Sequence, residues 1–198
     1  MEDATQILIV LSQVAMGLSL AACAGLRAFL PMLVVGLAGR MDWIPLTSHF
    51  EWLEATPALI VFGAAVVAEL VADKVPWFDN FLDVAQTFVK PVAGVVVAAA
   101  VLHDLTPLQG TVLAIVLGAG TAGAVHLGKS GVRLASTAVT GGLANPVLSV
   151  VEEAGAWTLA IAAVWIPVIT AVVVLILSIL AFRAIRRRRI RSGTLRPA

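Results

Sequence analysis

A chain of 198 residues that is 60% hydrophobic and only 13% charged, with a mean hydropathy of +1.01, excludes an ordinary soluble domain, which is roughly half apolar and about one quarter charged. The composition belongs to the membrane class. A net charge of +1 hides an uneven distribution, and a single cysteine, Cys23, excludes a disulfide framework.

The chain opens on MEDATQ, which is acidic and lacks the positive segment of a secretory signal, so it is expected to stay in the mature protein. Residues 7–38 form the first apolar run, too long for one straight span when roughly 20 residues cross the hydrocarbon core. Arg27 and Pro31 interrupt it. The run predicts a helix broken near AACAGLRAFLP, with room for a short second arm. The second run, 57–72, carries Glu69 inside it and leads to Asp73.

The next stretch, ADKVPWFDNFLDVAQTFVKP, is the least lipid-like. Asp79, Asp83, Gln86 and Lys90 fall at i, i+4, i+7 and i+11 and so share one helical face, opposite Trp77, Phe81, Val84 and Phe88. Pro76 suits a first helical position. This predicts an amphipathic helix over 76–90 lying at the membrane interface and ending before Pro91. A sharper alternative turns the acidic face of Asp79 and Asp83 inward, as the mouth of a cation or proton path.

Apolar runs follow at 91–103 and 107–127. The second contains Gly118, Gly120 and Gly123, small residues that let helices approach closely, and is expected to be central. Residues 131–155 are interrupted by Gly141, Gly142, Asn145 and Pro146. The last apolar run, 156–182, precedes a tail holding seven of the thirteen basic residues. Such a tail marks the cytoplasmic side and contacts anionic lipid. Without an accompanying folded reader it does not indicate nucleic-acid binding.

The positive-inside bias also puts Lys74, Lys90, Lys129 and Arg133 on the cytoplasmic side, and the cation-free link His103–Asp104 outside. Residues 131–155 then return the chain outward as a sixth, broken crossing, with both termini inside. A re-entrant hairpin there is the rival, with five spans and an external N-terminus. AGLRAFLPMLVV and GGLANPVLSVV also echo each other, and Lys74–Pro91 has the spacing of Lys129–Pro146. Paired interrupted segments point to a transporter-type site, with chance similarity the alternative.

AGLRAFLP, ADKVPWFDNFLD, TFVKPVAG and RLASTAVTGGLANPVLSVVEE together resemble a group of bacterial multi-pass inner-membrane proteins known only as a domain of unknown function. The resemblance covers roughly residues 10–180. It implies a bacterial cytoplasmic-membrane location and no reaction, substrate or catalytic residue.

Ionisable residues at membrane depth are costly and either pair or work. Arg27, Glu69, Asp73, His126 and Lys129 are therefore candidates for a transport or ion path, together with Asn145 at the second interruption. The plain alternative is structural pairing, such as Glu69 with Lys129 or Arg27 with a carboxylate. GAVHLGKS (123–130) matches the phosphate-loop pattern GxxxxGK[ST], but it ends an apolar run where that motif needs a strand, a loop and a helix. No nucleotide is expected. The histidines are scattered without metal-ligand spacing, so no cofactor is called for and a metal stays open.

The sequence thus predicts an all-α polytopic transmembrane bundle of about six spans, two of them broken. Residues 1–182 form one domain and 183–198 a basic cytoplasmic tail, with homo-oligomerisation open. A transporter or channel for a small solute or ion leads. A lipid-phosphate enzyme or binder at the cytoplasmic face and a non-catalytic scaffold are the alternatives, with enzyme chemistry the weaker expectation.

Overall fold

The computed structural model describes the backbone of residues 2–72 and 76–193 and the side chains of 3–72 and 85–183. Among the described residues all regular structure is helical, with no strand. The helices are α1 (Glu2–Leu26), α2 (Leu30–Arg40), α3 (Thr56–Ala72), α4 (Pro76–Val101), α5 (Pro107–Leu113), α6 (Gly120–Thr140), α7 (Asn145–Trp165) and α8 (Pro167–Gly193). A π-helical turn over Ala114–Ala119 joins α5 to α6, and a 3₁₀ turn over Ser48–Glu54 precedes α3.

Helix α1 is the axis of the bundle, packing against α4, α6, α7 and α8. Its second half explains why: Leu20, Ala21, Ala22, Cys23 and Ala24 are all buried, and side chains this small let neighbours close in on every side. A second close approach joins α4 to the π turn, where a Cβ on Gly94 would fall on the Gly118 carbonyl oxygen and one on Gly118 would meet the Gly94 carbonyl. Gly118 is thus central as predicted, whereas Gly120 and Gly123 face open space.

Both predicted interruptions are present. The chain leaves helical geometry after Leu26 and re-enters at Leu30, with Pro31 in the first turn of α2. Helix α6 ends at Gly141, whose φ of 63° lies in the left-handed region, where glycine has no Cβ to clash. Helix α7 then starts at Asn145 with Pro146 in its first turn. The two echoing sequences therefore each restart a helix with proline where its missing N–H costs nothing.

The boundaries differ from expectation in three places. Residues 131–140 belong to α6, so the return crossing is Asn145–Trp165 alone. The run 156–182 is split at Ile166, where Pro167 opens α8. Helix α4 does not stop before Pro91 but passes through it to Val101. Proline removes one intrahelical bond and is tolerated in membrane helices where neighbours and hydroxyl side chains re-satisfy the backbone. Three helical stretches among the described residues are long and apolar enough to cross a membrane: Asp3–Leu26, Pro107–Thr140 and Asn145–Trp165. A fourth exists if the pair Ser48–Glu54 and Thr56–Ala72, bent by 65°, counts as one. The predicted six is not reached on this measure, because α2 and the described apolar parts of α4 and α8 are short.

The ends of the bundle are also defined. Gln13 of α1 hydrogen-bonds Asp104 and His103, and Thr47 caps the end of α4 at Ala99 and Ala100. Trp43 and Trp165 pair with centroids 5.2 Å apart. The N-terminal half of α1, the 41–47 loop, the end of α4 and the end of α7 therefore share one end. Leu26, Glu69, Lys129 and Glu152 share the other. That places the start of α1 beside the His103–Asp104 turn, at odds with an N-terminus on the side opposite that turn.

Candidate functional site: charged side chains around a broken helix

Amphipathic helices in water bury their apolar face, and α6 does the reverse. Its buried residues are Ala122, His126, Lys129 and Arg133, spaced to lie on one face. Leu127, Val132, Leu134 and Val139 are exposed on the others. Helix α4 is turned the same way where its side chains are described: Gln86 and Lys90 are buried while Phe88 is 74% exposed. This half of the predicted 76–90 helix is a bundle helix with its polar face inward. Asp79 and Asp83, on the face of Gln86 and Lys90 by spacing, have side chains outside the described residues, as does the whole of Asp73.

The inward faces meet at the α1–α2 break. Ala28 donates its backbone N–H to Glu69 Oε1 at 3.1 Å, and Gln86 Nε2 donates to the same oxygen at 3.1 Å. Lys129 Nζ reaches the carbonyl of Leu26, the last residue of α1, at 3.5 Å. A helix end leaves backbone groups unpaired, and its carbonyl end attracts a cation. One side of the break is therefore held by the Glu69 carboxyl group and the other by the Lys129 amine. Arg27, within the break, donates to the Glu69 backbone carbonyl at 3.4 Å and lies 4.0 Å from Glu153 Oε2.

Two further groups extend the cluster. Lys129 Nζ lies 3.1 Å from Glu152 Oε2, and Arg133 lies 3.4 Å from that oxygen while donating to Ser149 Oγ at 2.6 Å. Lys90, fully buried, sits 3.2 Å from His126 Nδ1, and His126 Nε2 is 3.2 Å from Thr87 Oγ1. A charged ammonium has no acceptor. Beside a charged Lys90, His126 Nδ1 must accept and Nε2 carries the proton toward Thr87.

Four of the predicted residues, Arg27, Glu69, His126 and Lys129, thus line one connected region with Lys90. The predicted pairing of Glu69 with Lys129 is not the one formed: Lys129 takes Glu152, and Glu69 takes neutral donors. Asn145 is elsewhere, its side chain donating to Thr137 Oγ1 at 3.0 Å within the α6–α7 turn. Sequence reasoning used Arg133 only as a marker of sidedness, used Lys90 for that and for the polar face of 76–90, and left Glu152 and Glu153 unread. Their signal was the common spacing His126–Lys129–Arg133, one helical face carrying three basic groups.

GAVHLGKS lies wholly within α6, with none of the loop geometry in which backbone N–H groups converge on phosphate. Two apolar hollows, one lined by Ile7, Val10 and Leu11 and the other by Phe29, Met32, Phe88 and Val92, lie outside the charged cluster.

Apolar helices surrounding an inward polar face fit a membrane protein. More particularly, residues 14–187 match the family described as Domain of unknown function (DUF4126), and the chain belongs to it. No curated protein and no solved structure matches the chain.

Proposed function

We propose that this protein moves a small solute or ion across a bacterial cytoplasmic membrane, with the Arg27–Phe29 break and its charged cluster as the passage site. The observation that supports it is the fastening of the break by two ionisable side chains: the Glu69 carboxyl group on the Ala28 N–H and Lys129 on the Leu26 carbonyl. Transporters use broken helices in this way, because interrupted backbone at membrane depth survives only in protein or beside a cavity and its dipole ends hold ions.

We infer six crossings, α1, α3, α4, α5–α6, α7 and α8, with α2 as a short returning arm. An arm that returns makes the number of passes odd, so the N-terminus is outside when the basic tail 183–198 is cytoplasmic and near anionic lipid. A scaffold reading is favoured by one observation, that Glu152 is shared by Lys129 and Arg133 as a structural lock would be.

Flux of candidate ions and solutes into vesicles carrying the purified protein separates the two. Glu69→Gln and Arg27→Gln are expected to slow it by at least about tenfold, the equivalent of roughly 1.4 kcal/mol in a barrier. Flux equal to that of the parent in both variants sinks the transport reading and leaves the scaffold.

A further inference from the structure

We propose that Glu69 is a proton-binding site, loaded on Oε2, and that a proton is the coupling ion of the protein. The inference rests on the transport reading for its purpose, while its chemistry stands on the geometry of one side chain.

The two oxygens of Glu69 are treated differently. Oε1 accepts from Ala28 N–H and from Gln86 Nε2. Oε2 is buried without a hydrogen-bond partner among the described residues, in a residue that is 4% exposed. An ionised carboxylate spreads its charge over both oxygens, and leaving one of them buried and unbonded is costly. A carboxylic acid is asymmetric in the observed sense: its carbonyl oxygen accepts and its hydroxyl oxygen holds the proton. Oε1 is placed as the carbonyl and Oε2 as the hydroxyl.

The surroundings favour a proton over a metal ion. Divalent ions such as Mg²⁺ and Ca²⁺ take several oxygen ligands, and no group of three His, Cys, Asp or Glu among the described residues is disposed to hold one. The titratable groups facing Glu69 are Cys23 and Arg27 from α1 and the break, Lys90 from α4 and Lys129 from α6, with Glu153 of α7 behind Arg27. Three of these facing groups are basic, which repels a metal cation; they also attract the ionised carboxylate, and burial of an oxygen with no donor works against them. Loading forms the Oε2–H bond and neutralises the carboxylate; unloading breaks that bond and returns the proton to water.

The same step acts on the break. A charged acceptor holds an N–H more strongly than a neutral one, so the ionised form grips Ala28 and the loaded form loosens it. Proton binding thereby changes how firmly the α1–α2 break is held.

Infrared difference spectra of the full-length protein in lipid vesicles, titrated with acid and base in H₂O and D₂O, test this without any transported solute. We expect a carbonyl band of a buried carboxylic acid that shifts in D₂O and is lost in Glu69→Gln. The band moves, and does not vanish, in Glu69→Asp. It rises in frequency in Gln86→Leu, which removes one donor from Oε1, so loss in Glu69→Gln is not confused with misfolding. A parent spectrum without the band, a band that survives Glu69→Gln, or a band removed by sodium ions at constant pH overturns the proposal. A Glu69 band in a protein that passes no solute sustains the proton site and removes the transport reading instead.

Discussion

Helix α1 meets polar partners at both ends, and the two ends use different chemistry for the same mechanical task. From Gln13 to Arg27 is roughly 21 Å along the axis at about 1.5 Å per residue. At the first end one neutral amide ties a turn: Gln13 accepts from the Asp104 N–H and donates to Asp104 Oδ2 at 2.6 Å and to His103 Nε2 at 3.0 Å. At the other end, fastening the break engages Glu69, Arg27 and Lys129, with Lys90, His126, Arg133, Glu152 and Glu153 around them. Glutamine shows that a neutral group suffices to pin α1 to a neighbour. The charged end therefore carries more than fastening requires, in a medium where burying ions is costly.

Three substitutions sharpen that contrast. The largest expected effect is at Glu152→Ala. It leaves Lys129 and Arg133, both buried, without the carboxylate they share, and breaking such a pair costs about 3–5 kcal/mol. Unfolding in mild detergent, followed by steric trapping or thermal scans, measures it, and a loss below about 1 kcal/mol would mean that the charged end is held by other contacts. Next is Gln13→Leu at the neutral end. His103 and Asp104 are partly exposed, so water can replace the lost bonds and the cost is about 1–2 kcal/mol. The Glu69 infrared band is expected to be unchanged there; a shift of that band in Gln13→Leu would show that the two ends are coupled. The smallest effect is at Arg40→Ala. Its guanidinium donates to Thr56 Oγ1 at 2.7 Å on the surface, and a stability change within about 0.5 kcal/mol is expected.

Much of this arrangement was written in the chain. Both interruptions follow from local chemistry: Arg27 with Pro31 in one, and Gly141–Gly142 before Asn145–Pro146 in the other. By sequence, small residues mark 107–127 as the central run, whereas the run LAACAG makes α1 the axis, since side chains this small let neighbours close in. What periodicity alone could not decide was sidedness. Lys90, Lys129 and Arg133 have the same letters as loop cations that mark a cytoplasmic face, and only the fold shows them buried beside His126 and Glu152. Over its described part, 85–90, the helical wheel of 76–90 is two-faced as read, but it could not say which face meets the bundle. In lipid the apolar face goes out, so the polar one goes in. Partner choice was equally hidden: the sequence offered Glu69 to Lys129, and the register of α6 against α7 selects Glu152.

That register depends on the π turn at Ala114–Ala119. A π turn holds one residue more than the α-helical path needs, and each residue advances a helix by about 100°. The extra residue therefore sets the phase of α6 relative to the Gly94–Gly118 contact that anchors the turn to α4. Without it, His126, Lys129 and Arg133 would swing together by about a quarter of a revolution, and the face carrying Leu127 and Leu134 would move toward the break. The composition of the cluster lies in its ionisable residues, but its aim is kept by a six-residue clockwork with no charge in it.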